Sequence, residues 1–384
     1  MKRTVCIIMS VLLASTMAAC SAGSKTDNVS VSAPTDSVSG VITSQETSEA
    51  ASSETAESVP SSWSETVVDE EVKDIIDEFI EMNEYEGVVF AKKGGKTIVN
   101  FAVGELENGD TITVDTPMPI GSVSKQFCAA CVLSLSEEGK LSLDDTLDKY
   151  YPDYKEGGKI QIKNLLSMRS GIPEIAADEN PDLVTMENTE EENKQAMKDW
   201  LFAQSLVFKP DTQFEYVNAN FFLLSDIVEQ VSGEKYSDFL HSHIFEPLGM
   251  SHSGTIGELD SSPAWADGIN YTQLDRQPGL TNGCGDIISN SSDMDKWIEA
   301  LSSGEVISGD SYTAMTTSYS DEQYGYGMFT GISGGVGHYG AIGIYSAFDY
   351  INEDEDLIVV LMSDSVYPPM MQSTANDLID DLLG

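Results

Sequence analysis

Pro119-Ile120-Gly121-Ser122-Val123-Ser124-Lys125-Gln126-Phe127 opens an apolar run that continues through Cys128, Ala129, Ala130, Cys131, Val132, Leu133 and Leu135 and closes at Gly139. A run of that length reads as a helix buried on nearly all sides. Ser122 falls at its first turn. Residues three apart share a helix face, so the Ser122 hydroxyl and the Lys125 amine point the same way. A serine hydroxyl is a poor nucleophile and needs a neighbouring base. A lysine serves only when neutral, the form that burial favours. The helix N-terminus aims free N–H groups at negative charge forming beside Ser122. The spacing alone does not decide the chemistry, because Ser232-Gly233-Glu234-Lys235 has it too.

On the N-terminal side of this stretch, Val68, Val72, Ile75, Ile76, Phe79 and Ile80 recur at helical spacing. Gly87 to Ala91 and Thr97 to Val103 are strand-like runs on either side of a hairpin turn, Lys93-Gly94-Gly95-Lys96. From Ser122 to about Trp297 the pattern is helices and loops. Leu165-Leu166-Ser167-Met168-Arg169-Ser170-Gly171-Ile172-Pro173 reads as a helix end and a turn, residues 174–195 as an acidic, irregular surface insertion, and Phe221 to Val231 as an apolar helix. Strands return at Tyr324 to Phe329, Val336 to Tyr339, Ile344 to Tyr350 and Leu357 to Met362, with a polar turn from Asn352 to Asp356. A last helix carries Met371, Ala375, Leu378, Ile379 and Leu382 on one face. Strands at both ends with helices between them predict an α+β fold, with one sheet built from both termini and a helical lobe at roughly 122–297. The crevice between the halves is the expected site.

The chain of 384 residues is long enough for a large core. Its 64 acidic against 20 basic residues give a net charge of −44. That balance argues against nucleic acid and anionic lipid head groups as partners. Lys2 and Arg3, the apolar stretch from Val5 to Met17, and the small Ala18-Ala19 read as an export signal over 1–19, too short for a convincing membrane span. Met17-Ala18-Ala19-Cys20 resembles a bacterial lipobox, with Met17 where leucine is usual. That resemblance implies lipidation of Cys20, an anchor in the membrane and a place on the outer face of the cytoplasmic membrane. Residues 20–62 have the composition of a disordered Ser/Thr-rich tether, and the folded domain is expected over 63–384.

Cys128, Cys131 and Cys284 remain after the leader and Cys20 are set aside, an odd number for an exported chain. Cys128 and Cys131 lie inside the apolar run and read as small core residues. No Cys/His cluster has zinc-ligand spacing, His241 and His243 included, and no cofactor is expected. The one Gly-x-Ser-x-Gly string, Gly331-Ile332-Ser333-Gly334-Gly335, lies between two strand-like runs rather than ahead of a helix, and is not read as a nucleophile elbow. The base is therefore sought among lysine and tyrosine.

Phe214-Glu215-Tyr216-Val217-Asn218-Ala219-Asn220 precedes the apolar helix, and Gly337-His338-Tyr339-Gly340-Ala341 lies in a glycine-rich strand. With these the chain, from about residue 65 to its end, resembles the serine β-lactamase-like and penicillin-binding family, particularly its class C branch. That family carries Ser-x-x-Lys, then Tyr-x-Asn, then Lys- or His-x-Gly. Ile120-Gly121-Ser122, Leu165-Leu166 to Ser170-Gly171, Pro247-Leu248-Gly249-Met250 and Gly283-Cys284-Gly285 add to the likeness. Tyr350-Ile351-Asn352 and His252-Ser253-Gly254 repeat two of the patterns, but out of the family order.

The resemblance implies that Ser122 is acylated and that Lys125 and Tyr216 share the proton traffic, with either one as the base. It implies that Asn218 bonds the substrate amide and Lys125, and that the N–H groups of Ser122 and Ala341 form the oxyanion hole beside Gly340. His338 replaces the usual lysine, Tyr339 stands where threonine is common and is expected to crowd the slot, and no Lys or Arg follows Lys296. A half-protonated histidine is then the expected inner-strand cation. Hydrolysis of carboxylate-bearing β-lactams is expected to be poor, and the substrate to be an ester, an amide or a D-amino-acid peptide, small or derived from peptidoglycan. A D-alanyl-D-alanine carboxypeptidase or endopeptidase, a weak β-lactamase, and a penicillin-binding sensor that does not turn over stay open as alternatives.

Overall fold

The structure, a computed structural model, describes residues 61–63, 70–106, 109–175, 183–261, 263, 278–366 and 368–384. The leader at 1–19, Cys20 and the tether as far as residue 60 lie outside the described residues. Among those described, no helix is long and apolar enough to cross a membrane.

Seven strands form the main sheet. They are β1 (Ser61–Trp63), β2 (Gly87–Lys93), β3 (Lys96–Val103), β7 (Phe329–Ile332), β8 (Gly335–Ile342), β9 (Tyr345–Asn352) and β10 (Leu357–Ser363). Their order is β1-β3-β2-β10-β9-β8-β7, and every neighbouring pair is antiparallel. A second, small sheet joins β4 (Met118–Pro119), β5 (Gly254–Thr255) and β6 (Ile287–Ser289), with β6 in the middle.

The helices are α1 (Glu70–Asn83), α2 (Ser124–Glu137), α3 (Ile162–Leu166), α4 (Glu190–Phe202), α5 (Asn218–Ser232), α6 (Tyr236–Leu240), α7 (Glu246–Leu248), α8 (Ser291–Ser303), α9 (Gly309–Thr316) and α10 (Pro368–Leu383). β10 shows how they are distributed. It is apolar without a break from Leu357 to Met362 and buried throughout, as a strand covered on both faces must be. Leu357, Val359 and Leu361 pack with Ile76 and Phe79 of α1 and with Met371, Leu378 and Ile379 of α10. Ile358, Val360 and Met362 join the larger core on the other face, which takes in α2 and α5. The final helix thus buries the face expected of it.

Three expectations need correcting. The folded chain begins by Ser61, not 63, because Ser61, Ser62 and Trp63 pair with Val103, Ala102 and Phe101 on the open edge of β3. Backbone pairing of that kind leaves no hydrophobic period to read. Tyr324 to Phe329 is not a strand but an irregular segment closed by one bridge between its ends, and β7 starts at Phe329. The stretch 174–195 is not all surface insertion. Thr189 and Glu192 form a capping box that starts α4 at Glu190, and Glu174 turns inward.

Candidate active site

The Ser122 stretch is clamped between two sheets. Ile120 N–H donates to Ile287 O (3.0 Å), and Ile287 N–H donates to Ser124 Oγ (3.0 Å). Ser122 lies in a single 3-10 turn, Gly121–Val123, directly ahead of α2 rather than inside it. β8 crosses this turn backbone to backbone. Gly121 has φ +50°, and a Cβ there would lie 2.5 Å from Ala341 N. A Cβ on Gly340 would overlap Ile120 O and lie 3.1 Å from Ser122 N. Only glycine permits that approach. The backbone of Ala341 thereby lies against the Ser122 turn, on a length of β8 beyond its pairing with β7, which ends at Gly337.

Lys125 is fully buried, held by α2 with its amine at the surface of the helical core. Its Nζ lies 3.0 Å from Ser122 Oγ, 2.8 Å from Asn218 Oδ1 and 2.6 Å from Cys284 O. The two carbonyl oxygens only accept, so they take two N–H donors in either protonation state. The third position faces Ser122: an ammonium donates to Oγ there, and a neutral amine accepts from it. Tyr216 closes the site from the loop ahead of α5. Lys125 Nζ stands 4.9 Å from its ring centre. The Tyr216 hydroxyl is buried and has no hydrogen-bond partner among the described residues. Ser122 and Tyr216 are half-buried, while Asn218 and Ala341 are exposed, so the group opens to solvent.

His338 faces the same side but is sealed beneath it. Its Nδ1 lies 2.6 Å from Tyr339 O and its Nε2 3.2 Å from Tyr324 Oη. A carbonyl oxygen only accepts, so Nδ1 carries the proton and Nε2 accepts from the Tyr324 hydroxyl. Burial, helped by the charge on Lys125, pushes its pKa down to about 3. The half-protonated cation is therefore a neutral imidazole. Tyr339 does not crowd the slot either. Side chains alternate along a strand. Its ring stacks on Phe348 on the far face of the sheet, and its hydroxyl donates to Asn376 Oδ1 (2.8 Å).

Several participants were not singled out in the sequence. Cys284 contributes its carbonyl, and burial pushes its thiol up to about 12; the glycines around it were the only signal. Glu174 accepts from Asn218 N–H (2.6 Å), Ile175 N–H (2.9 Å) and Ala219 N–H (3.3 Å). Tyr324 packs edge-on to Tyr216, ring centres 6.0 Å apart. The decoys lie elsewhere. Ser232 ends α5 beside the exposed Lys235, and Tyr350 donates to Ser333 O.

An antiparallel sheet with the first and last helices on one face and a helical cluster on the other is the architecture of β-lactamases and penicillin-binding proteins. Residues 72–384 match the Beta-lactamase family, and the chain belongs to it. It is 29% identical over 290 residues to the putative penicillin-binding protein PbpX of Bacillus subtilis, covering 73% of this chain and 70% of that one. Protein flp of Staphylococcus aureus is 31% identical over 168 residues, 42% of this chain and a third (33%) of that one. Among solved structures, the octameric penicillin-binding protein homologue from Pyrococcus abyssi superposes with a TM-score of 0.68 at 26% identity, over 82% of this chain and 77% of that one. The D-amino acid amidase of Ochrobactrum anthropi shares the fold, with a TM-score of 0.67 at 20% identity over 82% and 98%. The fold family is one of serine hydrolases.

Proposed function

We propose that the protein is a serine hydrolase of the Ser-x-x-Lys type that works through an acyl-serine. The observation that carries this reading is Lys125 Nζ, 3.0 Å from Ser122 Oγ and held on its other two sides by carbonyl oxygens. Ser122 Oγ attacks the substrate carbonyl carbon, and its proton passes to Lys125 or Tyr216. The oxyanion faces the N–H groups of Ser122 and Ala341. Collapse expels the alcohol or amine, which takes the proton. Water then attacks the acyl-serine, releases the acid and restores the Ser122 hydroxyl. Positioned acid–base groups contribute about 10²–10⁴ in rate and one oxyanion donor about 10²–10³.

The substrate is an ester, an amide or a D-amino-acid peptide that needs no cation for a carboxylate. His338 supplies none, and Lys125 is fully engaged. The D-amino acid amidase among the fold relatives was solved in complex with L-phenylalanine amide, an amide that carries no carboxylate. The leader at 1–19 and a lipidated Cys20 would tether the domain to the outer face of the membrane, a reading supported by Lys2, Arg3 and the Met17-Ala18-Ala19-Cys20 motif. Loss of acyl-chain labelling in a Cys20→Ala chain tests the anchor. The enzyme is tested by exposing the protein and a Ser122→Ala control to a short-chain nitrophenyl ester, a D-alanyl peptide and a fluorescent penicillin. Ester or peptide turnover that vanishes in the control supports the proposal. A stable penicillin adduct without turnover of any substrate makes the protein a sensor instead.

A further inference from the structure

α5 begins without a cap of its own. Its N-cap residue, Val217, has no side chain that accepts a hydrogen bond, and its first turn holds no acidic residue. By contrast Thr189, Asn290 and Ser308 cap α4, α8 and α9 through their own side chains. The first N–H groups of a helix need acceptors. For α5 they are found 44 residues upstream, where the Glu174 carboxylate takes Asn218 N–H on Oε2 at 2.6 Å and Ala219 N–H on Oε1 at 3.3 Å. Asn218 is also the residue whose Oδ1 holds Lys125 at 2.8 Å.

The loop that carries Glu174 is bound to the same stretch along its length. Met168, in the left-handed region at φ +58°, accepts from Glu215 N–H at its carbonyl (3.0 Å). Gly171 O accepts from Val207 N–H (2.8 Å), and Ser170 Oγ donates to Asn220 Oδ1 (2.6 Å). A buried left-handed non-glycine residue persists only where its surroundings over-determine it. Residues 168–175 and 207–220 therefore form one unit, with Glu174 where that unit meets the reacting groups.

We propose that Glu174 is a positioning residue for the reaction at Ser122: its carboxylate fixes the first turn of α5 and, through Asn218, the hydrogen bond that orients Lys125. The inference rests on the serine hydrolase reading above. Glu174 does not touch the substrate; it acts through Asn218. Burial raises its pKa, and the N–H groups of Asn218 and Ile175 and the charge on Lys125 oppose that rise.

A cap that is only structural changes stability and leaves the reactivity of the folded protein alone. The full chain is therefore treated with a fluorophosphonate probe, and the rate of Ser122 phosphonylation is followed by mass spectrometry beside thermal melts. Ser122 Oγ attacks the probe's phosphorus, the P–F bond breaks and fluoride leaves to solvent while the hydroxyl proton passes to the base, so the rate reads the hydroxyl directly. Glu174→Gln keeps the shape and part of the acceptor set, and Glu174→Ala keeps neither. Thr189→Ala, which removes the cap of α4, controls for lost stability. Labelling is expected to slow by about 10²-fold in Glu174→Ala, the scale of a misplacement near 1 Å, and by less in Glu174→Gln. Thr189→Ala melts lower but is labelled at the wild-type rate. Labelling of Glu174→Ala or a folded Glu174→Gln within about twofold of wild type overturns the inference. A wild-type chain that is never labelled at Ser122 overturns the hydrolase reading, and this one with it.

Discussion

Gln126 Nε2, on the residue after Lys125, donates to both carboxylate oxygens of Asp349, at 2.7 and 2.8 Å. The same carboxylate accepts from His338 N–H (2.9 Å), and Gln126 Oε1 accepts from Trp297 Nε1 (3.2 Å). The helix that carries Lys125 is thus tied to the strand that carries Ala341 by one buried carboxyl group.

Asp349 makes stability depend on pH. Burial pushes its pKa up to about 7, against the pull of Gln126 and the His338 N–H. Buried Asp286 is likewise raised to about 7. An unfolded aspartate has lost its proton above about pH 4, whereas these two keep theirs to about pH 7. The unfolded state therefore binds fewer protons in that window, and stability falls as pH rises through it. For each group the loss is on the order of a few kcal/mol. Asp349→Asn removes one of the two contributions. Urea midpoints measured at pH 5 and pH 8 should fall less between these values in the variant than in the wild type. Equal falls would show that Asp349 does not titrate in this range.

Gly340→Ala should separate folding from function. The added methyl meets Ile120 O, a backbone atom that cannot swing aside. β8 must withdraw from the Ser122 turn, and overpacking of this kind costs about 1–3 kcal/mol. The core holds, but the N–H of Ala341 leaves the oxyanion position, for a loss of about 10²–10³ in kcat. Ester turnover beside a thermal melt checks this. A variant with the wild-type kcat would mean that β8 supplies no oxyanion donor.

The sequence exposed what is periodic or contiguous. Ser122 and Lys125 were legible because they lie three positions apart ahead of a long apolar run. The last helix was legible because Met371, Ala375, Leu378, Ile379 and Leu382 keep one period, and all five are buried. What acts across sequence distance was hidden. Glu174 sits in an acidic stretch that resembles solvated surface, and only the tertiary path of α5 turns its carboxylate inward. Cys284 acts through its backbone carbonyl, which no residue type encodes. The protonation of His338 depended on its burial beneath Tyr324, and the direction of Tyr339 on the register of β8.

Tyr216→Phe tests the phenol without disturbing its packing. The ring contacts with Tyr324 and His338 do not need the hydroxyl, and that hydroxyl has no partner among the described residues to be left behind. Stability should stay within about 0.5 kcal/mol of wild type. Turnover of a short-chain ester should fall by about 10²–10⁴, as for loss of an acid–base group. Lys125→Ala should match that loss in rate and also lower stability, since it leaves Cys284 O and Asn218 Oδ1 without their donor. If Tyr216→Phe retains full turnover while Lys125→Ala loses it, proton transfer belongs to the lysine alone.

The charge preference of the site follows from His338. A carboxylate on the substrate gains most from a cation it can meet directly. His338 is 1% exposed, neutral, and bonded on both ring nitrogens. Because burial holds its pKa to about 3, acidifying from pH 7 to pH 5 does not charge it. A neutral nitrophenyl ester should therefore be hydrolysed far faster than nitrocefin, which carries a carboxylate. The ratio of the two kcat/KM values should not shift toward nitrocefin between pH 7 and pH 5. Nitrocefin hydrolysis at the rate of a dedicated β-lactamase, or a ratio that moves toward it as the pH falls, would show that a cation reaches the slot after all.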